Sequence, residues 1–281
     1  MSAAPDIFVP KGRALPKPAR VHQVVDSVTF SVALYGLIIG IIVYGAYTGA
    51  QAMGYNWQWY RVPQYFYRVT EDGFQWGEIV LGLMKTLQLS ATAFAFAVAL
   101  GLVVALMRLS GLLICTGVAI GFLELIRNIP LLVLLYLFYY VLGPIFGFDR
   151  YTASILCLGV FHSVLISEIF RAGIEAVAKG QWEASTSIGM TKGQAYRYII
   201  LPQSIRFMLP PMTGEVVHMV KSSAIVSVIA VAELTTIGRN IISDTYMSFE
   251  IWFTIAIVYM VVTLILSVGV SIVEKRYAVS Q

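Results

Sequence analysis

The sequence predicts an all-α integral membrane protein with about six transmembrane helices. Three observations carry this. Hydrophobic residues make up 58% of the chain and charged residues only 12%, far from the roughly 25% charged composition of a soluble domain. The mean hydropathy is +0.79. The apolar residues also lie in long uncharged runs, each near the ~20 residues that a helix needs to cross a hydrocarbon core at 1.5 Å per residue. Runs of that length imply helices rather than a barrel.

In chain order, residues 28–48, 86–107, 128–148 and 251–273 contain no Asp, Glu, Lys or Arg, and each is predicted as one span. Two further spans are less clean. Residues 151–167 are uncharged but short, and residues 208–232 are apolar but interrupted by Glu215, His218 and Lys221. Charge inside a span asks for a reason, because an ionised group at depth is costly unless it is paired or lines a wet path. The first run starts too late and is too long for a cleavable signal core, and no small-residue cleavage site follows it. It is predicted to stay as an anchor. Cys115 and Cys157 sit in apolar surroundings without metal-ligand spacing and read as packing residues.

Basic residues set the orientation under the positive-inside rule. With both ends cytoplasmic, Lys11, Arg13, Lys17, Arg20, Arg108, Arg127, Arg171, Lys179, Lys192, Arg197, Arg206, Lys275 and Arg276 fall inside. Arg61, Arg68, Arg150 and Arg239 fall outside, with Lys85 and Lys221 within or at the edge of spans. The sequence pI near 9.0 then reflects loops facing anionic lipid, and no nucleic-acid surface is implied.

Between the first two spans, residues 56–76 are rich in aromatic side chains (Trp57, Trp59, Tyr60, Tyr65, Phe66, Tyr67 and Trp76). Such rings suit the headgroup layer on the outer face. Residues 109–123 form an apolar stretch too short for a span, predicted as a turn and an oblique helical entry into the span beginning near Pro130. One continuous helix kinked at Pro130 is the alternative. Residues 171–206 form the longest polar stretch inside the core, and a connection of that size usually has work of its own. Good helix formers predict a short helix there, beginning at Trp182 or Glu183 and ending at Gly189, with Gly180 and Gly193 as further C-terminal caps.

In that loop stand Glu183, Ala184 and Ser185, then Gly189, then Ile199, Leu201 and Pro202. The spacing resembles the EAA loop in permease subunits of bacterial binding-protein-dependent ABC importers: Glu-Ala-Ala, three residues, Gly, nine residues, Ile, one residue, Leu-Pro. Only the second Ala departs, and Ser185 keeps a small residue there. Three clusters outside the loop are similar to the polar amino acid branch of the family. They are Glu124, Arg127, Asn128 and Pro130 before Leu131 and Leu132; Ser167 to Ala172 with Gly173; and Lys221, Ser222 and Ser223 before Glu233 and Leu234. The likeness runs from about residue 82 to residue 273 and leaves out the tail and the first span.

The resemblance implies a type I importer fold, a five-helix core with one extra N-terminal helix. It divides the chain into a cytoplasmic tail at 1–26, the additional helix at 27–50, and a periplasmic aromatic-rich segment at 51–78. A permease core at 79–273, with its coupling loop at 171–206, and a cytoplasmic C-terminal tail at 274–281 follow. It further implies a location in the bacterial inner membrane, a second permease subunit (identical or related), a periplasmic substrate-binding protein and an amino acid substrate. ATP and Mg would sit on separate ATPase subunits, and this chain would be non-catalytic, with no cofactor or metal of its own. The residues agree: no Gly-x-x-x-x-Gly-Lys-Ser/Thr phosphate loop, zinc motif or nucleophile elbow occurs.

A short exposed helix with small residues such as Ala184 and Ser185 can seat closely against a partner's groove, while Gly189 lets the chain turn sharply behind it. In the family such a helix sits in a cleft of the ATPase, and Leu201 and Pro202 would anchor the far end of the loop. A path for a zwitterion needs polar groups at depth, for which Asn128, His162, Ser163, Glu168, His218, Lys221 and Ser222 are the candidates. Lys221 would meet a carboxylate and Glu168 an ammonium group. Glu168 also stands three residues from Arg171, and Lys221 near Glu215, so each has a purely structural partner within reach. A secondary transporter or channel, or a membrane scaffold, would explain the spans but not the loop at Glu183.

Overall fold

A computed structural model describes residues 28–71 and 73–277; the N-terminal tail and the last four residues lie outside these. The chain divides into two units, residues 1–57 and 58–281. In the first, α1 (Val28–Ala52) is a single apolar helix of 25 residues. It has no Asp, Glu, Lys or Arg to place, and Thr48 settles its hydroxyl by donating to the Tyr44 carbonyl at 3.0 Å.

The second unit opens with a structure that the all-helical expectation lacked. A 3-10 turn (Trp59–Tyr65) leads into a β-hairpin of β1 (Tyr67–Thr70) and β2 (Gly73–Trp76). The strands pair antiparallel with Tyr67 opposite Trp76 and Val69 opposite Phe74. Gly77 closes the hairpin onto the turn, its N–H donating to the Phe66 carbonyl at 2.8 Å. A Cβ at Gly77 would lie 2.2 Å from the Tyr65 carbonyl oxygen. Gly77→Ala is therefore expected to force the hairpin away from the turn at a cost of about 1–3 kcal/mol, read as a lowered thermal unfolding midpoint of the purified protein.

Then comes α2 (Glu78–Leu109), whose buried side carries Ala93, Ala97, Gly101 and Ala105. Four small residues at i, i+4 spacing let a second backbone come close. The neighbour is α6 (Arg150–Glu175), and these two helices make the most extensive pair in the unit. The short uncharged run 151–167 is thus the N-terminal two-thirds of a 26-residue helix that is more than half buried. Its N-cap Asp149 accepts from the Thr152 N–H at 3.0 Å, and the bonds from Thr152 hold its carboxyl below the usual range.

Between them the chain corrects one predicted span. α3 (Leu113–Arg127) stops, and α4 (Leu131–Tyr136) starts after Pro130 on an axis bent by 104° from α3. A π turn (Leu137–Leu142) and α5 (Gly143–Phe146) complete the second arm. Residues 128–148 are therefore one arm of a broken pair rather than a span standing alone. The break follows from Pro130, which disfavours helical geometry at Ile129 and offers no N–H to continue the ladder. The predicted turn and oblique entry is the better of the two sequence readings.

On the far side of α6 come α7 (Lys179–Ser187), α8 (Lys192–Ala195), a π turn (Tyr196–Ile200) and α9 (Leu201–Ser222). A 3-10 stretch (Ser223–Ile229) and α10 (Leu234–Thr245), bent by 45°, follow, and α11 (Ser248–Tyr277) ends the fold. Among the described residues, four helices are long and apolar enough to cross a membrane, and six spans result if each bent pair counts as one. The core lies where α2, α6 and α9 meet, around Leu89, Ala97, Leu158, Ile166 and Met219.

Candidate functional site

The loop helix α7 is built from both ends. It starts at Lys179, three to four residues before the predicted Trp182 or Glu183, and ends at Ser187. Behind it Gly189 adopts a left-handed conformation with φ of +76°. The Gly189 N–H donates to the Thr186 carbonyl at 3.0 Å and the Met190 N–H to that of Ser185 at 3.1 Å, which is the Schellman closure. Gly180 and Gly193, expected as caps, instead lie in the first turns of α7 and α8 and have no positive φ. Thr191 and Gln194 form a capping box that starts α8.

One side of α7 is fixed to its own protein. The Trp182 ring meets the Tyr196 ring edge-on with centroids 5.0 Å apart. Ser185, expected on the docking face, is buried and donates to the Trp182 carbonyl at 2.7 Å. The other side is open: Gly180, Glu183, Ala184, Ser187 and Ile188 are all exposed. At 100° per residue, Gly180, Ala184 and Ser187 share one face, edged by Glu183 and Ile188. Gly180, Ser187 and Ile188 were missed in the sequence, although the i, i+4, i+7 spacing was there to read. A hollow of about 760 Å³ lies beside α7, lined by Leu109, Trp182, Glu183, Lys192 and Tyr196 among others.

The far end of the loop is anchored one residue from where it was expected. Leu201 and Pro202 are exposed, Ile199 is half-buried, and Ile200 is fully buried against Ile174, Val177 and Met208. The wider π turn directly before Pro202 accommodates a residue that brings no N–H.

Glu168 belongs to a charge cluster. Its carboxylate accepts from Arg108 at 2.5 Å and Arg127 at 3.3 Å through Oε1, and from Arg171 Nε at 3.0 Å through Oε2. Arg171 reaches on to Glu175 at 2.5 Å, and Arg127 to Glu124 at 3.5 Å. Three helix ends, those of α2, α3 and α6, thus share one carboxylate. Asn128 caps α3 by donating from Nδ2 to the Glu124 carbonyl at 2.7 Å.

The remaining polar candidates divide by burial. His162 Nδ1 and Glu215 Oε1 form a close pair across α6 and α9, with both side chains buried. Glu215 is therefore not the partner of Lys221. Ser163 is buried and donates to the Val160 carbonyl at 2.7 Å. His218 and Lys221, three residues apart, are exposed on one side of α9, and Ser222 is half-buried. Lys221 makes no ion pair or hydrogen bond among the described residues and lines a shallow groove of about 380 Å³ with Ala224, Tyr259, Met260 and Thr263.

The buried pair has a measurable consequence. His162→Phe leaves Glu215 without its partner and is expected to destabilise the protein by about 1–3 kcal/mol or more. Adding Glu215→Met should recover much of that loss, since an apolar pair carries no unmet polar group. Unfolding of the single and double variants in detergent checks both expectations.

Residues 97–279 match the family described as "Binding-protein-dependent transport system inner membrane component". The chain belongs to that family. It is 38% identical over 197 residues to the "Probable glutamine ABC transporter permease protein GlnM" of Bacillus subtilis, covering 69% of this chain and 91% of that one. The "Glutamine transport system permease protein GlnP" of Escherichia coli K12 is 32% identical over 201 residues, or 70% of this chain and 92% of GlnP. Among solved structures, "Crystal structure of an amino acid ABC transporter with histidines" superposes with a TM-score of 0.67 at 42% identity, over 71% of this chain and 94% of that one. An inward-facing methionine ABC transporter, at 19% identity and a TM-score of 0.60, shares the fold. This is a multi-pass membrane permease subunit of an ABC importer, and permease subunits of the binding-protein-dependent family are not themselves catalytic.

Proposed function

We propose that this permease lines half of the path by which a polar amino acid of the glutamine type crosses the bacterial inner membrane. The names of GlnM and GlnP support the substrate class. ATPase subunits holding ATP and Mg dock on the cytoplasmic side, a substrate-binding protein delivers from the other side, and a second permease subunit completes the path. The observation that carries the reading is α7: an exposed face of Gly180, Ala184 and Ser187 on a helix braced behind by Trp182 and Tyr196. Small residues admit a partner's surface closely, and the brace passes its displacement on to α9. Both termini are cytoplasmic in this reading.

Lys221 is the path residue we assign first, with His218 beside it. Its ammonium is unpaired among the described residues and opens onto a groove, as a carboxylate ligand requires. The test is purification from the membrane followed by uptake in proteoliposomes. The wild-type chain should bring down an ATPase. Lys221→Met keeps the length of the side chain and loses its charge, so it should assemble normally while uptake and substrate-stimulated ATP hydrolysis fall. Normal uptake by Lys221→Met would remove Lys221 from the path, and purification without any ATPase would remove the proposed docking of ATPase subunits on this chain. Cysteines at Gln64 and Lys192, in a background lacking Cys115 and Cys157, should label from opposite sides of the membrane.

A further inference from the structure

The hairpin before α2 is two-faced. Its register places Tyr67, Val69, Phe74 and Trp76 on one side and Arg68, Thr70 and Gln75 on the other. The apolar side is a continuous surface. The Tyr67 and Phe74 rings stack at 6.3 Å, and Phe74 meets Trp76 edge-on at 4.9 Å. Nothing among the described residues covers it, for Tyr67 is 51% exposed, Val69 77%, Phe74 57% and Trp76 54%. A solvated two-stranded hairpin with an aromatic face is marginal in water and prone to pair with its own kind.

The position of this face is fixed. Gly77 admits the Tyr65 carbonyl where any Cβ would collide, the Gly77 N–H bonds Phe66, and Arg68 on the polar side pairs with Glu78 at 2.9 Å. The hairpin is thus clamped to the first residue of a membrane-spanning helix. Leu81 and Met84 of α2 are likewise exposed. Trp59 packs on Phe253 in the second turn of α11 at 6.4 Å, which puts further aromatic rings at the same end of the unit. Aromatic rings collected at one end of spanning helices are the pattern of a membrane–water interface, where a ring is wet at one edge and apolar at the other.

We propose that the hairpin is a monotopic anchor, lying with Tyr67, Val69, Phe74 and Trp76 in the lipid headgroup layer and its polar face toward water. Lipid is favoured over a protein partner because this face carries no charge and stands at the start of a membrane-spanning helix, with the Trp59 and Phe253 rings at the same end of the unit. The hairpin lies outside residues 97–279, the part of the chain matched by the family.

Spin labels at Val69→Cys and Gln75→Cys test this in the complex reconstituted in lipid nanodiscs. Cys115 is replaced by Ser, and the fully buried Cys157 is left in place. Neither labelled site packs against the fold. At Val69 the collision rate with a water-soluble nickel chelate is expected to be roughly tenfold below that at Gln75, because polar solutes are excluded from the acyl boundary, while collision with dissolved oxygen is higher. Equal chelate access at both sites would overturn the proposal, placing the hairpin in water. Protection of Val69 from both reagents, or only after a substrate-binding protein is added, would overturn it as well and identify a protein-covered face.

Discussion

Ala184→Arg is expected to release the ATPase subunits, or to leave them hydrolysing ATP without transport, while the permease still inserts in the membrane. Ala184 stands at the centre of the small-residue face of α7, and a long charged side chain there meets a closely fitted partner. Steric overlap and a charge without a counter-ion cost on the order of several kcal/mol at such a contact, against a typical protein–protein affinity of about 8–12 kcal/mol. Gly189→Val attacks the same helix from behind. The space around Gly189 is open, so the penalty is conformational, about 1–2 kcal/mol for a side chain held at positive φ. It also misdirects the chain toward Thr191. Lys179→Gln, at an exposed position, should be silent. ATPase retention and uptake are scored together on the purified complex. Full retention and normal transport by both Ala184→Arg and Gly189→Val would remove α7 as the coupling element.

The second large effect is expected at Glu168, where Ala would leave Arg108, Arg127 and Arg171 converging on no carboxylate. The side chains of Glu168 and Arg108 are 26% and 20% exposed, so the cost lies below the 3–5 kcal/mol of a fully buried broken pair, at about 2 kcal/mol. Arg127, nearly half exposed, adds little. The helix ends of α2, α3 and α6 should then separate, read as faster proteolysis at the turn between α2 and α3. Glu168→Gln keeps the acceptor oxygen and the shape and should lose less. Equal stability of the wild type, Glu168→Ala and Glu168→Gln would show that the cluster contributes no cohesion.

The helical class was legible because the spans are long and uncharged, and the α7 region because Gly189 follows a run of helix formers at a fixed distance. The hairpin was also legible and went unread. Asp72 and Gly73 stand between Tyr67, Val69 and Phe74, Trp76 in strict alternation, a strong local hairpin signal. Other features leave no local trace. Arg108 and Glu168 meet across 60 residues, and His162 and Glu215 across 53. No spacing rule reaches that far, so His162 looked like an open polar group when it was already engaged, and for Glu168 only the pairing with Arg171, three residues on, was legible. The burial of Ser185 depended on Trp182 turning toward Tyr196, which helical periodicity alone does not decide.

The 104° break between α3 and α4 also bears on how topology can be measured. Counting crossings is an exercise in parity. If both bent pairs cross, the chain passes the membrane six times, and if both turn back it passes four times; either way the two ends finish on the same side. Reporters fused to the termini are therefore blind to the difference. The loop carrying α7 is not. Were the first pair to turn back, α6 would run in the opposite direction and carry α7 to the same side as the hairpin. The sidedness of Lys192 relative to Gln64 is thus a direct reading of whether the chain completes its crossing after Pro130.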